Sequence, residues 1–397
     1  MTRVLRSVPA TAITLAAAAA GLWTAGAHRP ALAAQGQQDP LAEPFRGVTT
    51  GGTVVPGLFP IRPTGVSSAP IVSASQTFLQ ALTCDQRART TFPVDDIEWR
   101  KWNNVHRYDR QGVSLAELTE AQRDAALGLL RAGLSPSGVE KAQAVMRLNG
   151  HLGELTGRPE EYGEGAYFLT VMGDPSLSEP WGWQLDGHHL NLNYFVLGDQ
   201  VVMTPAFMGS EPVVARSGRY AGTAVLQLEE RRGLDLMESL TPEQRAVAVL
   251  DTPKSRGNAL AQAFRDNLVL DYAGIEASAL TNLQRALLLE LIAEYVGNLR
   301  DGHAAVKMAE VRAHLDEIWF AWIGEVGPDA VFYYRVHSPV ILIEFDHQGP
   351  IALPGDRTVP TREHIHTVVR TPNGNDYGKD LLRQHYEDPP PGHRHYP

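Results

Sequence analysis

Polar and apolar residues alternate along Trp183-Gln-Leu-Asp-Gly-His-His-Leu-Asn-Leu-Asn-Tyr194, as they do in a β-strand whose two faces have different surroundings. A predicted strand at residues 167–173 comes before this stretch. After it, Gly198-Asp199 forms a turn signal that leads into a further predicted strand at residues 200–207. Because such short turns join antiparallel strands, this part of the chain predicts an antiparallel sheet.

A second stretch of similar pattern, Tyr334-Arg-Val-His-Ser-Pro-Val-Ile-Leu-Ile-Glu-Phe345, lies further along the chain. Each stretch follows predicted helices that open with Leu-Thr-x-x-Gln-Arg, at Leu118 and at Leu280, a pattern typical of a helix start. A copy at Leu240 indicates only another helix start. Aligned without gaps, the two stretches match the following residues: Gln184 with Arg335, Asp186 with His337, Asn193 with Glu344, and Tyr194 with Phe345.

These observations predict an α+β fold of two related halves, each with helices followed by antiparallel strands, produced by an internal duplication. Convergent strand patterning is the alternative explanation. We expect one α+β body at residues 71–388, with halves at about 71–235 and 236–388. Residues 35–70, rich in Gly, Pro, Ser and Thr, predict a flexible linker or extended arm, and residues 389–397 form a Pro- and His-containing tail.

The first 34 residues have the order of a cleaved signal peptide: basic residues, then an apolar stretch from Ala10 to Leu22, then small residues that end at Ala33. A membrane anchor is the alternative, although this stretch is short for the roughly 20 residues that span a bilayer. We therefore expect an exported protein, periplasmic or extracellular, without an integral membrane domain.

The chain of 397 residues contains 35 Lys and Arg against 45 Asp and Glu, a formal charge of -10. This acidic balance, without a basic run, argues against nucleic acid as a partner. The single cysteine, Cys84, excludes an intramolecular disulfide and Cys-rich zinc or iron–sulfur sites. Histidines and carboxylates remain as the side chains from which a metal site could be built.

His364 and His366 are two residues apart on a predicted strand, so their side chains leave the same face and can converge on one ion. On the earlier strand, alternation places His189 with Asn191 and Asn193, and His188 on the other face. The candidate ligands of one transition metal ion, zinc or copper, are therefore His189, His364 and His366, with His188 and His337 as further candidates. A solvated strand face is the alternative for such pairs.

A zinc-dependent hydrolase that acts on a small-molecule or oligomeric substrate is the function we expect of this site. Glu344 would act as the general base, and Arg335 or Arg370 would stabilise an anionic intermediate. The remaining polar and aromatic candidates would bind substrate: Asn191, Asn193, Trp183 and Asp186. A copper-dependent oxidoreductase, suggested by Met203 and Met208, and a non-catalytic periplasmic ligand-binding protein are the alternatives.

The chain also contains the motifs Trp181-Gly-Trp-Gln-x-x-Gly-His-His-Leu, Thr204-Pro-Ala-Phe-Met-Gly, Ile343-Glu-Phe-Asp-His-Gln and His364-Ile-His-Thr-x-x-Arg. Together with the helix-start pattern, they resemble domain-of-unknown-function family 3500 over about residues 77–386. The resemblance implies the extent of the domain. It implies no activity, cofactor or partner.

Overall fold

The computed structural model describes residues 39–387, and the residues from Pro40 onward belong to one compact unit. The predicted signal peptide at 1–34, the first residues of the predicted linker and the tail at 389–397 lie outside the described residues. Within the described range, no helix is both long enough and apolar enough to cross a membrane.

Thirteen strands of the described chain form one sheet. They are β1 (Thr91–Phe92), β2 (Val113–Ser114), β3 (Tyr167–Met172), β4 (Trp181–Gly187), β5 (Leu190–Leu197), β6 (Gln200–Val202), β7 (Ala206–Ser210), β8 (Val249–Asp251), β9 (Ile275–Glu276), β10 (Trp319–Gly324), β11 (Phe332–His337), β12 (Leu342–His347) and β13 (Ile365–Arg370). The order across the sheet is β1-β3-β4-β5-β7-β13-β12-β11-β10-β8, with β2, β6 and β9 paired to β3, β5 and β10.

The long strands pair antiparallel, as the sequence predicts, whereas β1 and β8 pair parallel to β3 and β10 at the two edges. The sheet is therefore mixed. Nine α-helices accompany it in residues 39–387: α1 (Ala69–Ala81), α2 (Cys84–Thr90), α3 (Glu120–Gly133), α4 (Pro136–Thr156), α5 (Gln227–Ser239), α6 (Pro242–Ala248), α7 (Asn282–Val296), α8 (Asp301–Ala313) and α9 (Lys379–Glu387).

Helices α2, α3, α6 and α7 all begin at a threonine that exchanges hydrogen bonds with a glutamine three residues on. Three of these starts carry the predicted pattern, and the fourth, Leu82-Thr-Cys-Asp-Gln-Arg87, is a copy that the sequence analysis missed. The capping glutamines also bind in pairs: Gln122 Nε2 lies 2.8 Å from Gln86 Oε1, and Gln284 Nε2 lies 2.7 Å from Gln244 Oε1. The copy at Leu240 therefore does more than start a helix, because its glutamine joins α6 to α7.

One face of the sheet packs against the helices and forms the larger apolar core, which includes Leu185, Leu192 and Met208. Trp183 belongs to this core, with its ring stacked on Tyr194 at a centroid separation of 5.0 Å. The sequence analysis placed Trp183 among the substrate-binding residues. Alternation along β4 directs its indole towards the helices, where it is fully buried.

Irregular segments cover the opposite face of the sheet over a second, smaller core. Residues 40–68 form one of these segments, in which Val48 and Phe59 are buried. Thr49 N donates to Leu268 O at 3.0 Å, and Leu270 N donates to Thr49 O at 2.8 Å. The described part of the predicted flexible linker is thus a packed arm, because apolar burial and backbone hydrogen bonds fix a chain that has no regular secondary structure.

Candidate metal centre

Three buried histidines bring their Nε2 atoms together at one end of the central strand pair β7–β13. Nε2 of His364 lies 3.0 Å from Nε2 of His366 and 3.3 Å from Nε2 of His189, and the third separation, between His366 and His189, is 3.2 Å. Their relative exposure is between 2% and 8%. Among the described residues, this is the group of three or more His, Cys, Asp or Glu side chains whose geometry could hold a metal ion.

His189 reaches the cluster from a hairpin turn. β4 ends at Gly187 and β5 begins at Leu190, so His188 and His189 form the two residues of the turn. The φ of His189 is 63°, a left-handed conformation that costs about 1 kcal/mol or more in a residue with a Cβ. The structure brings His189 rather than His188 to the other two histidines, but the turn is responsible, and not the strand alternation from which we argued.

His364 and His366 approach the cluster from β13, as their two-residue spacing predicts: His366 lies on the strand and His364 immediately precedes it. Nδ1 of His364 lies 2.7 Å from the carbonyl oxygen of Gly349. A carbonyl only accepts, so Nδ1 carries the proton and Nε2 of His364 presents a lone pair. Gly349 is itself constrained, because a Cβ there would lie 2.1 Å from Arg357 O.

Burial lowers the pKa of all three imidazoles, and for His189 and His366 the neighbouring histidines lower it further. The rings are therefore neutral at pH 7. Each neutral ring has one N–H, and His364 uses its own on Gly349, so three mutual hydrogen bonds among the Nε2 atoms are impossible. The arrangement can instead direct several lone pairs at one cation.

The other two candidate ligands lie outside this cluster. His188 stacks on His189 at a centroid separation of 4.0 Å, and its Nδ1 lies 2.7 Å from Asn149 Oδ1. It supports the ring of His189 and does not join the triangle. His337 lies on β11, at the opposite end of the central strands, and contacts Tyr272. Burial lowers the pKa of His337 to about 3. Both predicted ligands therefore lie outside the group of described residues that could hold an ion.

Glu344, the predicted general base, is engaged elsewhere. One carboxylate oxygen accepts from Leu260 N at 3.0 Å and from Tyr333 Oη at 2.6 Å, and the other accepts from Ala261 N at 2.7 Å. The residue is fully buried, which raises its pKa. Glu344 pairs with Val368 of β13 rather than with a histidine. It therefore anchors the covering segment at residues 260–261, away from the histidine triangle.

The two predicted catalytic arginines are also structural. Arg370 is completely buried, with its guanidinium 2.7 Å from Asp266 and 3.2 Å from Asp376. Arg335 lies on β11, opposite Glu344 of β12. One of its terminal nitrogens donates to Asp271 O at 3.1 Å. Arg370 lies at the far end of β13 from His364. Neither guanidinium lies at the histidine triangle.

The predicted substrate-binding groups of β4 and β5 bind one another or the covering arms. Asn193 accepts from Gln184 at 2.6 Å and donates to Pro205 O at 2.7 Å. Asn191 donates to Asp186, whose carboxylate also lies 3.3 Å from Arg110 Nε. Burial raises the pKa of Asp186 to about 7. These three residues are buried and hydrogen-bonded in the layer between sheet and arms.

Two carboxylates beside the histidines were missing from the expected site. Asp346 lies directly opposite His366 across β12 and β13, and it is held by Lys254 Nζ at 2.9 Å and by two backbone N–H groups. The face that Asp346 shares with Glu344 was a signal that could have identified it.

Glu211 follows β7 and accepts backbone N–H groups of Ile351, Ala352 and Leu353 at 2.9, 2.9 and 3.1 Å. It fixes the loop at residues 348–363, whose Gly349 binds His364. No motif in the sequence marks Glu211, because its partners are backbone groups of a distant loop.

Comparison with known proteins shows to which family the chain belongs. No curated protein and no solved structure gives a significant match to the chain. The model of one family, described as "Protein of unknown function (DUF3500)", matches residues 64–379 and therefore most of the chain. The protein with this buried histidine triangle belongs to that family.

Proposed function

We propose that the protein is a metal-dependent hydrolase whose single transition metal ion is held by His189, His364 and His366. The spacing of the three Nε2 atoms carries this proposal. Nitrogens 3.0 to 3.3 Å apart are separated as ligands are when each lies about 2.0 to 2.1 Å from one ion and neighbouring ligands subtend about 100° at it.

Three neutral imidazoles suit zinc and copper, and three protein ligands are the number that catalytic zinc sites use. An ion held by these three imidazoles would supply a position for water and would lower the pKa of that water towards about 7. The hydrogen bond from His364 to Gly349 supports a ligand role, since metal-bound histidines commonly donate their other N–H in this way.

The other residues around the triangle position it and exclude solvent. Glu211 and Asp346 lie beside His364 and His366, and each accepts backbone N–H groups, so both carboxylates are already engaged. Glu344 is bound to the segment over β12. The proposal therefore assigns no side chain as general base, and it places the activation of water with the ion itself.

A copper oxidoreductase is less well supported. The thioether of Met208, which suggested copper in the sequence, belongs to the helix-side core together with Met203. His366 lies on the opposite face of the sheet, because it neighbours Thr367, whose register partner is Met208. Soft sulfur ligands are what favour copper over zinc, and neither methionine supplies one at the triangle.

Metal analysis of the full chain tests the proposal. His393 and His395 in the tail are first replaced by alanine to remove adventitious ligands, and no affinity tag with histidines is used. We expect close to one zinc per chain, and loss of the ion in His189→Ala, His364→Ala and His366→Ala. His337→Ala, which changes a buried histidine at the opposite end of the central strands, is the matched control and should keep the ion. Full metal occupancy in the three triangle variants would refute the site. Stoichiometric copper in the unmodified protein would favour an oxidoreductase. Stoichiometric zinc without any turnover would favour a binding protein.

We also propose that the two halves of the sheet arose by duplication. The same order of elements occurs twice, from α1 to β5 and from α5 to β12. The hairpin registers agree with the sequence alignment, since Gln184 pairs with Asn193 and Arg335 pairs with Glu344. Superposition of residues 69–197 on residues 227–347 tests this: topologically equivalent strands that fail to align in the register of the sequence would favour convergence.

Export remains part of the proposal and is supported by the signal-peptide pattern at 1–34. Cell fractionation, with N-terminal sequencing of the purified protein, tests it. We expect a mature chain that begins near Ala34. An intact N-terminus in the cytoplasmic fraction would overturn this part.

A further inference from the structure

A surface pocket opens beside His364 under the loop at residues 348–363. Its apolar wall comes from this loop and consists of Pro350, Leu353, Pro354, Val359 and Pro360. Proline fixes φ, so a wall with three prolines is stiff. The carboxylate of Glu211 binds three successive backbone N–H groups of the same loop and holds the wall against the sheet. The pocket is therefore preformed next to His364, the triangle histidine that lines it.

The charged side chains that line this pocket, other than His364 itself, are acidic: Glu211, Asp356 and Glu363. Lys and Arg do not contribute to the described lining. Arg216 offsets the charge of Glu363 at 2.8 Å. Asp356 is bound by the hydroxyl of Thr358 at 2.7 Å and by its backbone N–H, which lower the pKa of Asp356 and keep it ionised. Of the three acidic groups, Asp356 is therefore the one whose negative charge faces the pocket without a cationic partner or a set of backbone donors.

We infer that this pocket binds the body of the substrate, and that it accepts an apolar group that is uncharged or cationic and rejects an anionic one; the inference rests on the proposed metal centre. Burial of an apolar group against the proline-rich wall stabilises the complex. An acidic group would meet the negative charge of the exposed Asp356, where like charges repel and salt screens the repulsion. The group that coordinates the ion is separate from this body and carries no such restriction.

Three ligands with one metal-binding head test the inference: 4-phenylimidazole, its para-carboxylate and its para-aminomethyl derivative. The full chain is loaded with cobalt(II), whose visible absorption reports coordination, and each ligand is titrated at low ionic strength. We expect the neutral and cationic ligands to bind several-fold, up to about tenfold, more tightly than the carboxylate. Asp356→Asn keeps the hydrogen-bond acceptor and removes the charge, so it should reduce this ratio. Asp124→Asn, on the exposed face of α3, is the matched control and should not.

Each other outcome overturns a defined part. Equal affinity of the three ligands, a preference that Asp356→Asn leaves unchanged, or cobalt uptake without any ligand binding would refute the substrate class and leave the metal centre standing. Failure of the chain to take up cobalt would overturn the metal centre, and the inference with it.

Discussion

Replacing Gly209 by alanine should weaken metal binding without touching a ligand. Gly209 lies on β7 directly opposite His366, and its N–H donates to His189 O. A Cβ built at this position lies 2.7 Å from Ile365 O, 3.2 Å from Cδ2 of His366 and 3.3 Å from Cδ2 of His189. The added methyl would therefore wedge between the two strands and between two of the three rings.

The size of the effect follows from these distances. The distance of 2.7 Å to Ile365 O is about 0.5 Å shorter than the distance that a carbon normally keeps from a carbonyl oxygen. Inserting a methyl group into a crowded core in this way costs about 1 to 3 kcal/mol of stability. Metal sites tolerate shifts of about 0.2 Å in ligand position. We expect the affinity for zinc to fall about 10- to 100-fold, the range found when the support of a ligand is disturbed.

Competition with a chromophoric chelator measures this affinity, and urea unfolding of the metal-free protein measures stability separately. Gly51→Ala is the matched control, because a Cβ there meets nothing within 4 Å. Unchanged zinc affinity in Gly209→Ala, equal to that of Gly51→Ala, would show that the imidazoles are not held in the arrangement described.

Three further predictions concern residues outside the triangle. Glu344→Gln should lower the unfolding free energy by about 2 to 4 kcal/mol and keep the metal, because it removes a buried acceptor of several N–H and O–H groups; loss of turnover in a stable, metal-loaded variant would restore Glu344 as a catalytic residue. His337 has its pKa lowered to about 3, so its neutral form favours folding above the ordinary pKa of histidine and this contribution is lost as the pH falls. His337→Phe should therefore reduce the loss of stability between pH 7.5 and pH 5 by about 2 kcal/mol, measured by denaturant unfolding at both pH values. Arg370→Met leaves Asp266 and Asp376 buried without their shared cation and should lower the unfolding free energy by about 3 to 5 kcal/mol. The fraction of this variant that folds at low temperature should keep its metal content.

Local patterns in the sequence identified the elements that carry the histidines. The two-residue spacing of His364 and His366 was sufficient to place both side chains on one face. The turn at His188 and His189 could have been recognised from Gly187, because two residues between alternating segments indicate a hairpin. We instead extended the strand through the turn, so His189 was chosen by an alternation that the turn does not follow.

The partners of the buried carboxylates could not be predicted in this way. Glu344 binds backbone N–H groups at Leu260 and Ala261, more than 80 residues earlier in the chain. That segment has no regular secondary structure, so no periodicity in the sequence indicates that it crosses the sheet. From the sequence alone, the carboxylate of Glu344 could be taken as free for catalysis. In the fold, it accepts backbone N–H groups of the covering segment.

The direction of the central strands explains why the predicted site mixed residues from two places. β5, β7, β13 and β12 are neighbours, and each pairs antiparallel to the next. β5 and β12 consequently run in opposite directions, and the turns that precede them lie at opposite ends of the sheet.

The turn at His188 and His189 lies at the first end of β13, next to His364, which immediately precedes that strand. The turn that precedes β12 reaches the other end, where Leu342 pairs with Arg370, and it contains the buried, apolar Val340. Residues matched by the alignment, such as Asp186 and His337, are thus far apart, because an arrangement of this kind exchanges the two ends of the sheet. The three histidines of the triangle accordingly come from positions that the alignment does not relate: His189 from a turn, and His364 and His366 from the start of β13. The candidate site lies where β7 pairs with β13, so it needs residues from both stretches of the chain.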